Sequence, residues 1–189
     1  MEILNVLSAF GLSASAGLNA YIPLLVVALL AKFTTLIQLS KPWDALTSWW
    51  TIGVLIALSL IEFFADKVPA VNHVNDMIHT IIRPAAGAIV FAASTQAVTN
   101  IHPVLALILG LFVSGSVHVV KSLVIRPAVT AATGGTANIP VSIAEDLLST
   151  ITSIISVLMP VLIGFFLLFI AILTLWFLLR HRQKAPAQN

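Results

Sequence analysis

In the stretch AVNHVNDMIHTIIRPAAG, residues 70–87, Asp76, His79, Thr80 and Arg83 fall at i, i+3, i+4 and i+7. On an α-helix that spacing puts all four on one face. An acid, an imidazole and a guanidinium side by side can relay a proton or hold an ion. His79 is a candidate proton relay, with a satisfied packing histidine as the alternative. Arg83 is followed by Pro84 and Gly87, and the glycine lets a second helix approach closely. A cation there can bind an anion or a phosphate head group, or hold a structural carboxylate.

The other ionisable groups sit near the ends of apolar runs. Glu62 and Asp66 close one run, Lys121 and Arg126 close another, and Glu145 and Asp146 open a third. A charge near the bilayer centre is unfavourable by about 2.5–3.5 kcal/mol on insertion scales. Mutual pairing across a bundle, for example Asp66 or Glu145 with Arg126, lowers that penalty. Asp76, Glu145 and Asp146 also stand at helix N-termini, where the macrodipole favours an anion. The plain alternative is that these groups are caps and packing ion pairs. After Asp146, Ser149, Thr150 and Ser153 continue a polar stripe at helical spacing. Hydroxyls on one face line a watery path or bind helices together. Asn19, ahead of Pro23, is placed to open a helix and expose backbone groups.

These groups need a scaffold, and composition names it. The chain has 189 residues, 59% hydrophobic and 8% charged, with mean hydropathy +1.08. Soluble domains carry about 25% charged residues, so the excess points to an all-α, polytopic membrane helix bundle. One integral membrane domain is expected over residues 1–180, with a short basic tail at 181–189. There are no cysteines, which excludes disulfides, thiolate metal sites and cysteine nucleophiles. No basic stripe suggests nucleic acid. No HExxH, GxSxG or P-loop occurs. No cofactor or metal is expected, and a membrane enzyme is the last choice. The N-terminus lacks a basic n-region, so its apolar segment reads as a retained span.

Apolar length predicts spans at residues 3–31, 49–64, 76–98, 103–125, 143–158 and 160–179. Gly17, Asn19 and Pro23 predict a kink or break within the first. Residues 32–48 read as an interfacial piece, with Lys41-Pro42 as breaker and Trp43, Trp49 and Trp50 at head-group depth. Residues 126–140, RPAVTAATGGTANIP, read as a loop packed back on the protein, because Gly134, Gly135 and the prolines oppose a continuous helix. About six spans are preferred, with five as the alternative. The basic run after Leu179 then puts the C-terminus in the cytoplasm, together with Lys67, Arg83, Lys121 and Arg126.

Two internal echoes occur. VPAVNHVNDMIHTII and IPVSIAEDLLSTIT align Asp76 with Asp146 and Thr80 with Thr150; GLSASAGLN and GLFVSGSVH align Gly11 with Gly110 and Ser15 with Ser114. Transporters often arise from such repeats. The two echoes imply different repeat boundaries.

Three motifs carry a resemblance: GLSASAGLNAYIPLL, DKVPAVNHVNDMIHTIIRPAAGA, and KSLVIRP with TGGTANIPVSIAEDLLST. In this order they resemble the bacterial membrane family called domain of unknown function 4126. The resemblance implies a small bacterial inner-membrane protein and brings no activity. Its motif positions include Asn19, Asp66, Asp76, Arg83, Lys121, Arg126, Asn138, Glu145 and Asp146.

The expected function is that of a small transporter or channel-like protein for an ion or small anionic solute, working through a charged polar cavity near the cytoplasmic face. Arg83, Lys121 and Arg126 hold the substrate charge; Asp66, Asp76, Glu145 and Asp146 exchange protons or cations, His79 relays, and Asn19 and Asn138 give neutral hydrogen bonds. Lipid head-group handling and a non-catalytic membrane scaffold are the alternatives. Partners are the lipid bilayer, the ion, solute or head group, and a second copy in a homodimer.

Overall fold

The computed structural model describes residues 2–67, 69–96 and 101–182, with the side chains of 69–76, 96, 174–175, 177–179 and 181–182 outside that description. The chain is all-helical, and no strand occurs among the described residues. The helices are α1 (Glu2–Leu18), α2 (Tyr21–Phe33), α3 (Trp49–Ala65), α4 (Pro69–Gln96), α5 (Pro103–Val120), α6 (Arg126–Thr133), α7 (Asn138–Leu158) and α8 (Pro160–Arg182). A short 3₁₀ turn covers Trp43–Thr47, and a π-helical turn, Lys121–Ile125, joins α5 to α6. Residues 77–95, 103–133 and 138–158 are long and apolar enough to cross a membrane; α1, α2, α3 and the first part of α8 are shorter apolar helices.

The first apolar run breaks at Asn19–Ala20 and then doubles back. Residues near the start of α1 (Leu4, Asn5, Ser8) and just past α2 (Leu36, Ile37, Gln38) line one small pocket. Two half-helices therefore replace the single span expected over 3–31. Their packing is apolar: Leu12 and Ala16 on α1 share a core with Leu24, Val27 and Ala28 on α2, Ile52 and Leu55 on α3, and Val90 on α4.

Two further boundaries depart from expectation and a third meets it. α4 begins at Pro69 rather than at Asp76, because proline is well suited to a first helical turn and the polar residues behind it do not break a helix. Residues 126–133 are helix, not loop. Pro127 sits in the first turn of α6, directly after the π-turn, so its missing N–H falls at a join where the regular bonding pattern is already shifted. The stop comes at Gly134, whose left-handed φ of 61° closes α6, and α7 restarts at Asn138. The break at Met159, ahead of Pro160, falls where the sequence reading divides the last apolar stretch.

α1, α4 and α5 pack tightly. A Cβ on Gly87 would collide with Ser114, and one on Gly110 with Gly87 and Phe91. Ser13 reaches into this contact, its hydroxyl 2.8 Å from the Gly87 carbonyl and 2.9 Å from that of Gly110.

Candidate functional site

The tip of the α1–α2 hairpin lies among the charges. Leu18 ends α1, and its carbonyl accepts a hydrogen bond from Lys121 Nζ at 2.7 Å. At the start of α2, the Ala20 N–H donates to Glu62 Oε2 at 3.2 Å. Asn19 Oδ1 caps the same helix, accepting from the N–H groups of Tyr21 and Ile22, both at 3.1 Å. A cation thus meets the negative end of one half-helix and an anion meets the positive end of the next, as the helix dipoles require.

Ion pairs radiate from this tip. Arg83 donates from Nη2 and Nε to Glu62 Oε1 at 2.9 and 3.2 Å, and Nη2 lies 3.6 Å from Asp66 Oδ2. Arg126 bridges Asp66 Oδ2 and Glu145 Oε2 at 3.0 and 2.8 Å. Lys121 lies 2.9 Å from the same Glu145 oxygen. Asp146 accepts from Asn19 Nδ2 at 3.0 Å and faces Lys67 at 3.4 Å. Arg83, Glu62 and Lys121 are at most 1% exposed, and Asp66, Glu145, Asp146 and Arg126 at most 9%. Among the described residues the network holds Glu62, Asp66, Glu145 and Asp146 against Lys67, Arg83, Lys121 and Arg126, an equal number of each sign.

Of the four residues on the opening stripe, His79 and Arg83 turn inward and are buried. Thr80 is exposed along its body, with its hydroxyl 3.3 Å from His118 Nε2. Asp76 lies in α4 with its side chain outside the described residues. Asn138 stands apart from the network and accepts from Thr130 at 3.1 Å, tying α6 to the start of α7. The remaining expected site residues, Asn19, Asp66, Lys121, Arg126, Glu145 and Asp146, converge. The sequence reading assigned Glu62 no binding role, although it shares a face of α3 with Asp66 at i, i+4. It also passed over His118, one turn ahead of Lys121 and 3.2 Å from Arg83 Nη1.

The inward face of α7 is polar throughout: Ser142, Glu145, Asp146, Ser149, Ser153 and Ser156 are its buried residues. Its outward face carries Ile143, Leu147, Ile151, Ile154 and Leu158, all exposed. This inverts the usual pattern of a soluble helix and suits a lipid surround. Ser15 on α1 joins the stripe, with its hydroxyl 2.8 Å from that of Ser149 and 2.7 Å from that of Ser153. The polar stripe ends at Ser156; the apolar Val157 beside it lines a pocket of about 60 Å³ with Asn5, Ser8, Gln38 and Ser94. Two buried atoms along the way, Ser142 Oγ and Glu145 Oε1, have no protein hydrogen-bond partner. Among the described residues no three His, Asp or Glu side chains are grouped to hold a metal ion.

A helical bundle with an oily outer surface and an ionised, hydroxyl-lined interior has the build of an integral membrane protein. The chain belongs to the family described as Domain of unknown function (DUF4126), whose match covers residues 6–180. No curated protein and no solved structure matches it.

Proposed function

We propose that the protein is a small bacterial inner-membrane transporter for an ion or small anionic solute, captured here in a closed conformation. The observation that carries this reading is the polar inner face of α7. It runs from the ion-pair network past Ser149 and Ser153 to Ser156, next to the Val157 that lines the pocket with Asn5 and Ser8. Serine hydroxyls also bind helices together; in line with ionised groups they provide stepping points for an ion. The broken hairpin supports the same reading, since half-helix ends aimed at charged groups are a feature of transporter binding sites.

In this reading the hairpin and α3, α4, α5–α6, α7 and α8 form a six-unit bundle. The network end faces the cytoplasm, where Lys67, Arg83, Lys121, Arg126 and the basic tail concentrate. Lys32 and Lys41 lie on the other side, beside the tryptophans. Lys32 stacks on Trp49, 4.3 Å from its ring centroid. α4 and α7, which carry one sequence echo, both start at the charged end, in keeping with an internal duplication.

Pairing of every described charge in the network favours a second reading, a scaffold whose ions only lock helices together. Proteoliposome swelling separates the two. Vesicles are challenged with potassium salts of small anions, with valinomycin and nigericin supplying potassium movement. Transport gives protein-dependent swelling with at least one salt, reduced at least tenfold by Arg83→Ala with folding preserved. A scaffold gives the swelling of empty vesicles with every salt.

A further inference from the structure

His79 is 3% exposed, and its Nδ1 has no hydrogen-bond partner among the described residues. Among the described residues, Glu62 Oε1 lies 3.5 Å from it. That oxygen is the one Arg83 holds through both Nε and Nη2. Two groups able to carry positive charge are therefore aimed at one carboxylate oxygen, and only one of them is bound to it.

The surroundings limit what else can occupy the gap. From α3, Glu62 and Asp66 face the imidazole. From α4 comes Arg83; the side chain of Asp76, one turn before His79, lies outside the described residues. From α2 the Tyr21 ring packs edge-on at 6.1 Å. From the end of α5 and the π-turn, His118 and Lys121 act on it electrostatically. His118 is engaged at both nitrogens, by Arg83 Nη1 and Thr80. Because arginine only donates, His118 Nδ1 accepts and its proton sits on Nε2. A second proton there would expel Arg83, whereas Nδ1 of His79 is open.

We propose that Nδ1 of His79 is the binding site for a proton taken up together with the anion; this rests on the transport reading above. Among the described residues the network is electrically balanced. An anion alone would leave a net negative charge in a low-dielectric interior, and a proton alone a net positive one. Together they restore balance, one proton for each negative charge. The proton comes from the aqueous side and binds the Nδ1 lone pair. The resulting imidazolium donates to Glu62 Oε1. Arg83 gives up that oxygen, stays charged, keeps Asp66 Oδ2 within reach, and presents a free guanidinium edge to the anion.

The test is ¹⁵N NMR of the full chain in nanodiscs, labelled at histidine and arginine and titrated from about pH 8 to about pH 4 in each potassium salt of the swelling assay. His79→Gln assigns the His79 signals. The expected result is that His79 Nδ1 moves from the shift of a bare ring nitrogen to that of an N–H nitrogen. Arg83 Nε should shift with the same midpoint, and Glu62→Gln should uncouple the two. Titration of His79 with no change at Arg83, or a ring that stays neutral throughout, overturns the proposal. Coupled titration in a protein that moves no anion upholds the proton site and sinks the transport reading. Swelling activity without coupled titration sinks the proton site alone.

Discussion

Nη2 of Arg83 lies 2.9 Å from Oε1 of Glu62, with both side chains almost wholly removed from solvent. Glu62 also holds the first N–H of the α2 half-helix, so this pair ties α3, α4 and the hairpin tip together. Truncating one partner of a buried pair strands the other charge, at about 3–5 kcal/mol. Arg83→Met is expected to destabilise the protein by that amount. Glu62→Gln combined with Arg83→Met should lose less than the sum of the two single changes, with a coupling energy of roughly 1–3 kcal/mol. Unfolding in detergent, followed by circular dichroism, measures the cycle.

Lys121 joins the Leu18 carbonyl to Glu145. Lys121→Met leaves Glu145 still held by Arg126, so the expected loss is smaller than for Arg83, about 1–3 kcal/mol. Lys121→Arg should not restore stability. A planar guanidinium cannot place a point charge on a single carbonyl as an ammonium does. The same detergent unfolding assay ranks the three proteins.

Asn19 has two separable jobs. Its Oδ1 caps α2 and its Nδ2 holds Asp146. Asn19→Ser keeps a capping oxygen and loses the Asp146 bond; Asn19→Ala loses both. A lost cap is worth about 0.5–2 kcal/mol, so alanine should be less stable than serine by that margin. Asn19→Asp places a carboxylate beside Asp146 and should be the worst of the three at neutral pH, recovering as pH falls far enough to protonate one of the two acids. Melting temperatures across a pH series check the order and the recovery.

Close approach of α4 to α5 predicts a contrast between two glycines. Gly87→Ala drives a methyl group into Ser114 and should destabilise by about 1–3 kcal/mol. Gly53 on α3 faces open space, and Gly53→Ala should change stability by no more than about 0.5 kcal/mol. Paired melting curves are sufficient.

Much of this was legible in residue type and spacing. The oily composition, the break near Asn19 and the stop at Met159-Pro160 follow from local rules, and the pairing of Arg126 with Asp66 and Glu145 from the cost of burying an unpaired charge. The return path of the hairpin does not. An apolar run of that length fits one span or two half-helices, and the choice depends on Lys121 and Glu62, which are distant in sequence. Glu62 was passed over because a carboxylate near the end of an apolar helix usually reaches the interface, and only tertiary contact shows it turned inward. In residues 126–140 prolines and glycines carry equal weight as breakers on sequence alone. Pro127, at a helix start, breaks nothing, and Gly134 does the stopping. Asn138 shows the limit of motif reading: it falls within a shared motif yet sits outside the network.

The central claim is that an ion moves along the inner face of α7. The chain has no cysteine, so single cysteines at Ser149, Ser153 and Ser156, and at the outward-facing Ile151 and Ile154, need no altered background. In liposomes treated with a membrane-impermeant thiosulfonate, the account predicts modification at the three serine positions and none at the two isoleucines. Modification should also slow swelling. Serine-position cysteines that stay unmodified while the protein is active would contradict it.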